Sequence, residues 1–141
     1  MRPAMKRETA GLYLAVCAGS ILGSVLRALA SIAAIAWLGD AFPIGTLFVN
    51  VLGSFIIGFY ATLTAPGSRM MASTRHGQFV MTGICGGFTT FSTFSLETFM
   101  LARNGDMPLA ALNIAVSVVT WLLAAWIGQA LAMRMNRVGG I

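Results

Sequence analysis

Four long apolar segments, separated by short polar turns, occupy nearly all of this 141-residue chain. A helix needs about 20 apolar residues to cross the hydrocarbon core of a bilayer, so the length allows four crossings and leaves no room for a soluble domain. Hydrophobic residues make up 57% of the chain and charged residues only 9%, which is typical of an integral membrane protein. We therefore predict an all-α membrane protein with one domain, residues 1–141, whose spans cover about residues 11–38, 44–63, 77–102 and 109–133.

The third span contains a segment that is unsuited to a continuous helix. The sequence from Gly86 to Thr90 is Gly-Gly-Phe-Thr-Thr, in which each glycine costs about 1 kcal/mol relative to alanine and the paired threonines are stiff. A break at membrane depth is tolerated only where the freed backbone groups are buried in protein or line a wet or ion-occupied cavity. We therefore predict that the third transmembrane helix is broken in the middle of the membrane. Beyond the break, one helix face mixes aromatic rings with hydroxyls: Phe91, Phe94, Ser95 and Thr98.

Three more side chains are unusual for apolar spans. Asn50 lies deep in the second span, and its residue chemistry alone favours a hydrogen bond between helices over a pore-lining role. Arg27 follows Gly19 and Gly23 at intervals of four residues in the first span. It either reaches the interface or a neighbouring carbonyl, or it lies near an anion path, and the sequence favours neither role. Glu97 is the only carboxylate deep in a span, where its simplest role is capping or an interface contact near the helix end.

The sequence offers no set of residues for catalysis in solution. No nucleophile is paired with a base, no two carboxylates are paired, and no glycine-rich loop joins a strand to a helix, so we predict no enzyme. The net charge of +5 comes from cations that mark membrane topology, and nothing clusters them into a surface for nucleic acid. In the fourth span, Trp121 and Trp126 are expected to contact lipid or the membrane interface.

Three short motifs give a more specific interpretation. They are GSVLR at residues 23–27, GTLFVNVLG at residues 45–53, and GGFTTFSTFS at residues 86–95 followed by Glu97. In content and in order they resemble the signature of the Fluc (CrcB) family of small membrane fluoride channels. One short Ser/Thr/Gly motif would be weak evidence, but three in the same order are specific, and the predicted spans around them cover nearly the whole chain.

The resemblance implies a passive, fluoride-selective ion channel that exports fluoride down its electrochemical gradient and protects the cell from fluoride toxicity. It also implies a multi-pass protein of the bacterial inner membrane, with fluoride and the lipid bilayer as partners. In the family, four-span chains assemble as antiparallel, dual-topology dimers with two pores. A structural Na+ at the dimer centre is held there by backbone carbonyls, which in this sequence are those of Gly86 and Thr89.

The resemblance implies a pore-lining role for Asn50, in place of the hydrogen bond between helices that its residue chemistry alone favours. Amide and hydroxyl donors can replace the water around a small anion without a full positive charge that would trap it, and phenylalanine rings have a positive edge. Asn113 stands where several family members carry a pore tyrosine, so we give it less weight than Ser117. The pore and fluoride-binding residues that we expect are Asn50, Phe91, Phe94, Thr93, Ser95, Ser117, Glu97 and Arg27.

The positive charges are distributed unevenly. If both termini and the loop between the second and third spans share one side, that side carries seven cations, against Arg103 alone on the other: Arg2, Lys6, Arg7, Arg69, Arg75, Arg134 and Arg137. The positive-inside rule would then place both ends in the cytoplasm. Because a dual-topology homodimer should show little bias, a pair with an oppositely oriented paralogue is the alternative to an antiparallel homodimer.

Two other functions are compatible with four spans. A small multidrug or organocation exporter needs a central carboxylate that binds cation and proton alternately, whereas the deep charge of the first span is Arg27. A non-transporting assembly subunit would use its Gly-xxx-Gly faces for packing alone. It would leave the Thr/Ser/Phe face of the third span unexplained.

Overall fold

The computed structural model describes residues 3–39, 42–68 and 70–138, and the regular elements in these ranges are all helices. Four helical regions are long and apolar enough to cross a membrane. This confirms the prediction of an all-helical protein with four long apolar helices, of which the third is bent at an interruption. The elements are α1 (Pro3–Leu38), α2 (Ile44–Leu63), α3a (residues 74–88), α3b (Phe91–Arg103) and α4 (Met107–Val138).

The interruption of the third helix is shorter than the sequence predicts. Only Thr89 and Thr90 are extended, with φ/ψ of −82°/158° and −151°/123°, whereas Gly86–Phe88 is still helical. Two adjacent β-branched residues favour extended backbone, so the break falls on the threonines. The glycines before them remain in the helix.

Helix α3a is not a uniform α-helix. It begins with the α-helical turn Thr74–Gly77 and continues as a π-helix over Gln78–Cys85 before the turn Gly86–Phe88. The hydroxyl of Ser73 caps its start by accepting a hydrogen bond from the amide of His76 at 3.3 Å. π-Helical turns are rare in proteins and occur often at functional sites. This one ends one short helical turn before the interruption.

Helix α1 packs mainly on α3a, and the two backbones touch where glycines face each other. A Cβ atom added to Gly87 would lie 2.5 Å from the carbonyl oxygen of Ser20, and one added to Gly83 would lie 2.9 Å from the Cα of Gly19. A Cβ atom on Gly23 would clash with the carbonyl oxygen of Ile84. Lipid gives little hydrophobic driving force between helices, so such close contact is a main source of their attraction.

Helix α2 packs mainly on α4 in a similar way. A Cβ atom on Gly58 would lie 3.1 Å from the carbonyl carbon of Ala125, and one on Gly128 would lie 2.9 Å from the amide nitrogen of Phe59. Helix α3b then rests against α4 on the other side of the interruption. These contacts hold the interruption of the third helix between α2 and α4.

Candidate functional site

Asn50 on α2 is bonded directly to the interruption. Its Nδ2 donates to the carbonyl oxygen of Thr90 at 2.8 Å, and its Oδ1 accepts from the amide of the same residue at 2.7 Å. The side chain is buried. One amide side chain therefore satisfies both backbone groups of a residue that has left the helix, which stabilises the extended conformation there.

Thr90 also begins the second half-helix. Its hydroxyl oxygen accepts from the amide of Thr93 at 3.1 Å, as an N-cap residue does, and its hydroxyl donates to Oγ1 of Thr93 at 2.9 Å. In a continuous helix the amides of Thr90 and Thr93 would instead pair with the carbonyls of Gly86 and Thr89. Side chains have taken both donors, so those two carbonyl oxygens are left without their helical partners.

The interruption borders a cavity of about 290 Å³. This cavity brings together four of the residues selected from the sequence, namely Asn50, Phe91, Gly86 and Thr89. Among the residues that the structure describes, no group of three or more His, Cys, Asp or Glu side chains could hold a metal ion. A cation at this cavity would therefore depend on backbone carbonyl, hydroxyl or amide oxygens.

Phe91 and Phe94 lie next to each other on α3b, with ring centroids 5.6 Å apart and ring planes at 52°. Phe91 is 71% exposed, whereas Phe94 is only 7% exposed. The buried ring of Phe94 meets Trp121 of α4 edge to face, with centroids 4.9 Å apart and planes at 74°. Phe94 therefore lies between Phe91 and the fourth span.

A second cavity, of about 520 Å³, lies beside the same half-helix and contains Thr46, Thr93 and Glu97. The hydroxyl of Thr46 donates to Oε1 of Glu97 at 2.8 Å, while Oε2 of Glu97 is buried without a hydrogen-bond partner. Thr93 lines this cavity and also bonds to Thr90 at the interruption. It therefore connects the interruption to the carboxylate.

A third cavity, of about 440 Å³, lies between α3b and α4 and is lined by Phe94, Ser95 and Thr98 among others. Ser95 is exposed, and its hydroxyl donates to the carbonyl of Phe91 at 2.9 Å. Thr98 donates to the carbonyl of Phe94 at 2.8 Å, in the same i to i−4 pattern. Both hydroxyls are thus held against their own helix, and their oxygens remain able to accept.

Asn113 and Ser117 form a buried pair on α4, each 1% exposed. Asn113 Nδ2 donates to Oγ1 of Thr98 at 2.8 Å, and the Ser117 hydroxyl is 3.4 Å from Asn113 Oδ1. The two side chains are equally buried, although the sequence analysis favours Ser117 over Asn113 as a pore residue. The bond from Asn113 to Thr98 joins α4 to α3b, whereas Ser117 bonds within α4.

Arg27 is half-buried on α1, and its Nε donates to the carbonyl oxygen of Gly87 at 3.2 Å. Of the two roles that the sequence leaves open, this contact is the bond to a neighbouring carbonyl. It places a positive charge one residue from Gly86, on the α1 side of the third helix.

Trp121 differs from the sequence expectation of a lipid contact. It is half-buried, lines the 290 Å³ cavity, and its Nε1 is buried without a hydrogen-bond partner. Trp126, in contrast, is 63% exposed, which suits a lipid contact. The missed signal was spacing, because Trp121 follows Asn113 and Ser117 at intervals of four residues and so shares their face.

Comparisons with known proteins point to one family. Residues 14–129 match the family described as "CrcB-like protein, Camphor Resistance (CrcB)". The chain is 53% identical over 134 residues to "Fluoride-specific ion channel FluC 1" of Rhodopseudomonas palustris (strain BisB18), a match that covers 95% of each chain. It is 50% identical over 129 residues to "Fluoride-specific ion channel FluC" of Opitutus terrae, covering 92% of this chain and 98% of that protein.

Proposed function

The chain belongs to the CrcB-like family of fluoride-specific ion channels, and we propose that it lets fluoride leave the cell passively, down its electrochemical gradient. It is a multi-pass membrane protein and not an enzyme. The whole chain acts as one four-span unit in the bacterial inner membrane, where fluoride export limits toxicity.

The interruption of the third helix carries this proposal. At this point of an otherwise apolar helix, the hydroxyl of Thr90 and the amide side chain of Asn50 on α2 are hydrogen-bonded at close range. Phenylalanine rings lie beside them. Neutral donors and positive ring edges can replace the water of a small anion without trapping it. A passive path needs this balance because the ion must leave as readily as it enters.

We assign the proposed path to the residues that border the three cavities and the buried pair. Phe91 and Phe94 face the anion with their ring edges and exclude bulk water. Asn50 of α2 holds the backbone of Thr90 next to them. Arg27 contributes a positive field from behind Gly87 without lying in the path. Further along the path, Thr93 and Glu97 line one cavity and Ser95 lines another. Ser117 belongs to the buried pair on α4.

We further propose that two chains assemble antiparallel, as a homodimer or as a pair with an oppositely oriented paralogue. The exposed surface next to the interruption supports this arrangement, because Gly86 is exposed there and a Cβ atom on it would meet nothing within 4 Å. Reporter fusions at both ends of the chain test the choice. A homodimer requires both orientations in one membrane, and a single orientation would leave only the pair with a paralogue.

A structural Na+ would fit between two such chains. The carbonyl oxygens of Gly86 and Thr89 are its proposed ligands, and the diversion of their helical donors to Asn50 and Thr90 supports the assignment. Unwound carbonyls are suitable ligands for sodium. Bound there, the ion would supply a positive charge that draws the two interruptions together. Replacing Na+ with N-methylglucamine during size-exclusion chromatography should increase the fraction of monomer, and an unchanged dimer fraction would contradict the assignment.

Fluoride efflux from liposomes that contain only the purified chain tests the function. Valinomycin is added to KF-loaded liposomes, and a fluoride electrode follows release, with KCl-loaded liposomes and a chloride electrode as the selectivity control. We expect rapid fluoride release with chloride retained. A well-folded chain that releases no fluoride, alone or with its paralogue, would contradict the proposal.

A further inference from the structure

Two buried polar side-chain atoms in the described ranges have no hydrogen-bond partner, Oε2 of Glu97 and Nε1 of Trp121. They are chemically opposite. A carboxylate oxygen accepts, whereas an indole N–H can only donate, so Trp121 needs an acceptor. Buried donors in native proteins are nearly always paired, which makes this one informative.

The position of Trp121 limits what the acceptor can be. The residue lines the 290 Å³ cavity together with Asn50, Thr90 and Phe91. The backbone amide of Thr90 and the side-chain amide of Asn50 are already engaged with each other. Trp121 therefore lines this cavity and carries a neutral donor that no group in the described part of the chain uses.

The ring of Phe94 packs against the indole ring that carries this donor. Because its centroid is 4.9 Å from that of the Trp121 ring, a movement of the Phe94 side chain changes what lies beside the indole. The N–H group is covered in the present arrangement, so an ion reaches it only when neighbouring side chains shift. Side-chain rotations of this kind are fast compared with most conformational changes of the backbone.

We propose that the indole N–H of Trp121 is a fluoride ligand, which donates a hydrogen bond to the ion as it passes Phe94. This inference rests on the proposed function and adds a donor to its path. The N–H carries no full charge, so it can bind the anion without trapping it. A hydrogen bond to a small, charge-dense anion is short and strong, which favours fluoride over chloride at this point.

Flux through two tryptophan variants tests the proposal. Trp121→Phe removes the donor and keeps an aromatic ring beside Phe94, whereas Trp126→Phe changes an exposed ring on the same helix. We expect Trp121→Phe to lower fluoride efflux about tenfold, the effect of losing one charge-assisted hydrogen bond, and Trp126→Phe to conduct like the unmodified chain. Equal efflux from the two variants would overturn the proposal.

A fluorescence titration keeps the test valid if Trp121→Phe does not fold. The chain has three tryptophans, so Trp37→Phe with Trp126→Phe leaves Trp121 as the only indole. We expect a saturable change in its emission with NaF and none with NaCl, measured against Trp121→Phe with Trp37 and Trp126 retained where that variant folds. If the Trp121 emission does not change with fluoride, the proposal is overturned, even if Trp121→Phe lowers fluoride efflux. The ring would then act only by packing.

The two measurements also separate this proposal from the function on which it rests. If the unmodified chain releases no fluoride but its Trp121 emission responds to fluoride, the ligand assignment stands and passive export fails. If the unmodified chain conducts and the emission does not respond, passive export stands and the ligand assignment fails.

Discussion

Two regions of the molecule hold the third helix in opposite ways. The contact of α1 with α3a, here called the glycine seam, is made by residues that have no side chain: Gly19, Gly23, Gly83 and Gly87. The contact of α2 with the interruption, here called the break cluster, is made by polar side chains: Asn50, Thr90 and Thr93. The seam leaves no space between backbones, whereas the cluster borders a cavity of about 290 Å³.

Under the proposed function, the difference separates the folding of the chain from transport. Backbone contact fixes the distance between α1 and α3a and leaves no room for an ion. Side-chain hydrogen bonds hold the backbone extended at the cluster, where Asn50 and Thr90 line a cavity. Changes in the seam should therefore affect folding first, and changes in the cluster should affect flux first.

The largest expected effect is in the glycine seam. Gly23→Leu places a branched side chain where even a Cβ atom clashes with the carbonyl of Ile84, and backbone atoms cannot move aside as a flexible side chain can. We expect no monodisperse protein in size-exclusion chromatography. Val25→Leu, on the exposed side of the same helix, should fold normally. A folded Gly23→Leu protein would show that α1 tolerates displacement from α3a.

The next largest effect is on flux in the break cluster. Asn50→Asp replaces the donor to the Thr90 carbonyl with a carboxylate oxygen and places a negative charge beside the anion path. Two like charges about 4 Å apart repel by about 4 kcal/mol at an effective dielectric constant of 20, so we expect fluoride efflux to fall at least about a hundredfold. Thermal unfolding in detergent serves as the folding control. A folded variant with normal efflux would remove Asn50 from the path.

A smaller effect is expected from the helix cap. Thr90→Val keeps the β-branched shape but removes the acceptor for the amide of Thr93, a loss of about 1 kcal/mol of stability. Thr82→Val is the matched control, because its exposed hydroxyl donates only to the Gln78 side chain. Thermal melts should show a lower midpoint for Thr90→Val alone. Equal midpoints for the two variants would mean that the cap does not stabilise α3b.

The smallest effect on a single chain is expected at Gly86. A Cβ atom there meets nothing within 4 Å, so Gly86→Ala should leave the fold of the chain unchanged. If a second copy covers this face, the added methyl group should shift the monomer and dimer populations toward monomer. Chemical crosslinking across a protein dilution series measures this shift. An unchanged crosslinked fraction would place the dimer contact elsewhere.

The four helices were predictable because apolar length alone determines what can cross a bilayer. The interruption was predictable because paired threonines are poor helix formers, although its exact position was not. The glycines beside them looked equally unsuited to a helix. Both stay helical, and Gly87 is in close backbone contact with α1, which involves residues about 60 positions away in sequence, whereas a Cβ atom on Gly86 would meet nothing.

Other features depend on how distant segments align. Asn50 is 40 residues from Thr90, so its paired hydrogen bonds require the register of α2 against the third helix. The π-helix over Gln78–Cys85 has an ordinary apolar sequence that does not distinguish it from an α-helix. The position of Trp121 was only partly predictable. Its spacing from Ser117 indicates which helix face the two residues share, but not that Trp121 packs against Phe94.

The central claim is that fluoride passes the aromatic residues beside the break cluster, and fluoride efflux through Phe94→Ile tests it most directly. Phe94 is buried against Trp121, and Phe48→Ile is the matched control because Phe48 is exposed on α2. With both variants folded in liposomes, we expect Phe94→Ile to lose at least about nine tenths of its efflux because isoleucine has no positive ring edge. Phe48→Ile should conduct normally. Full efflux through folded Phe94→Ile would contradict the account.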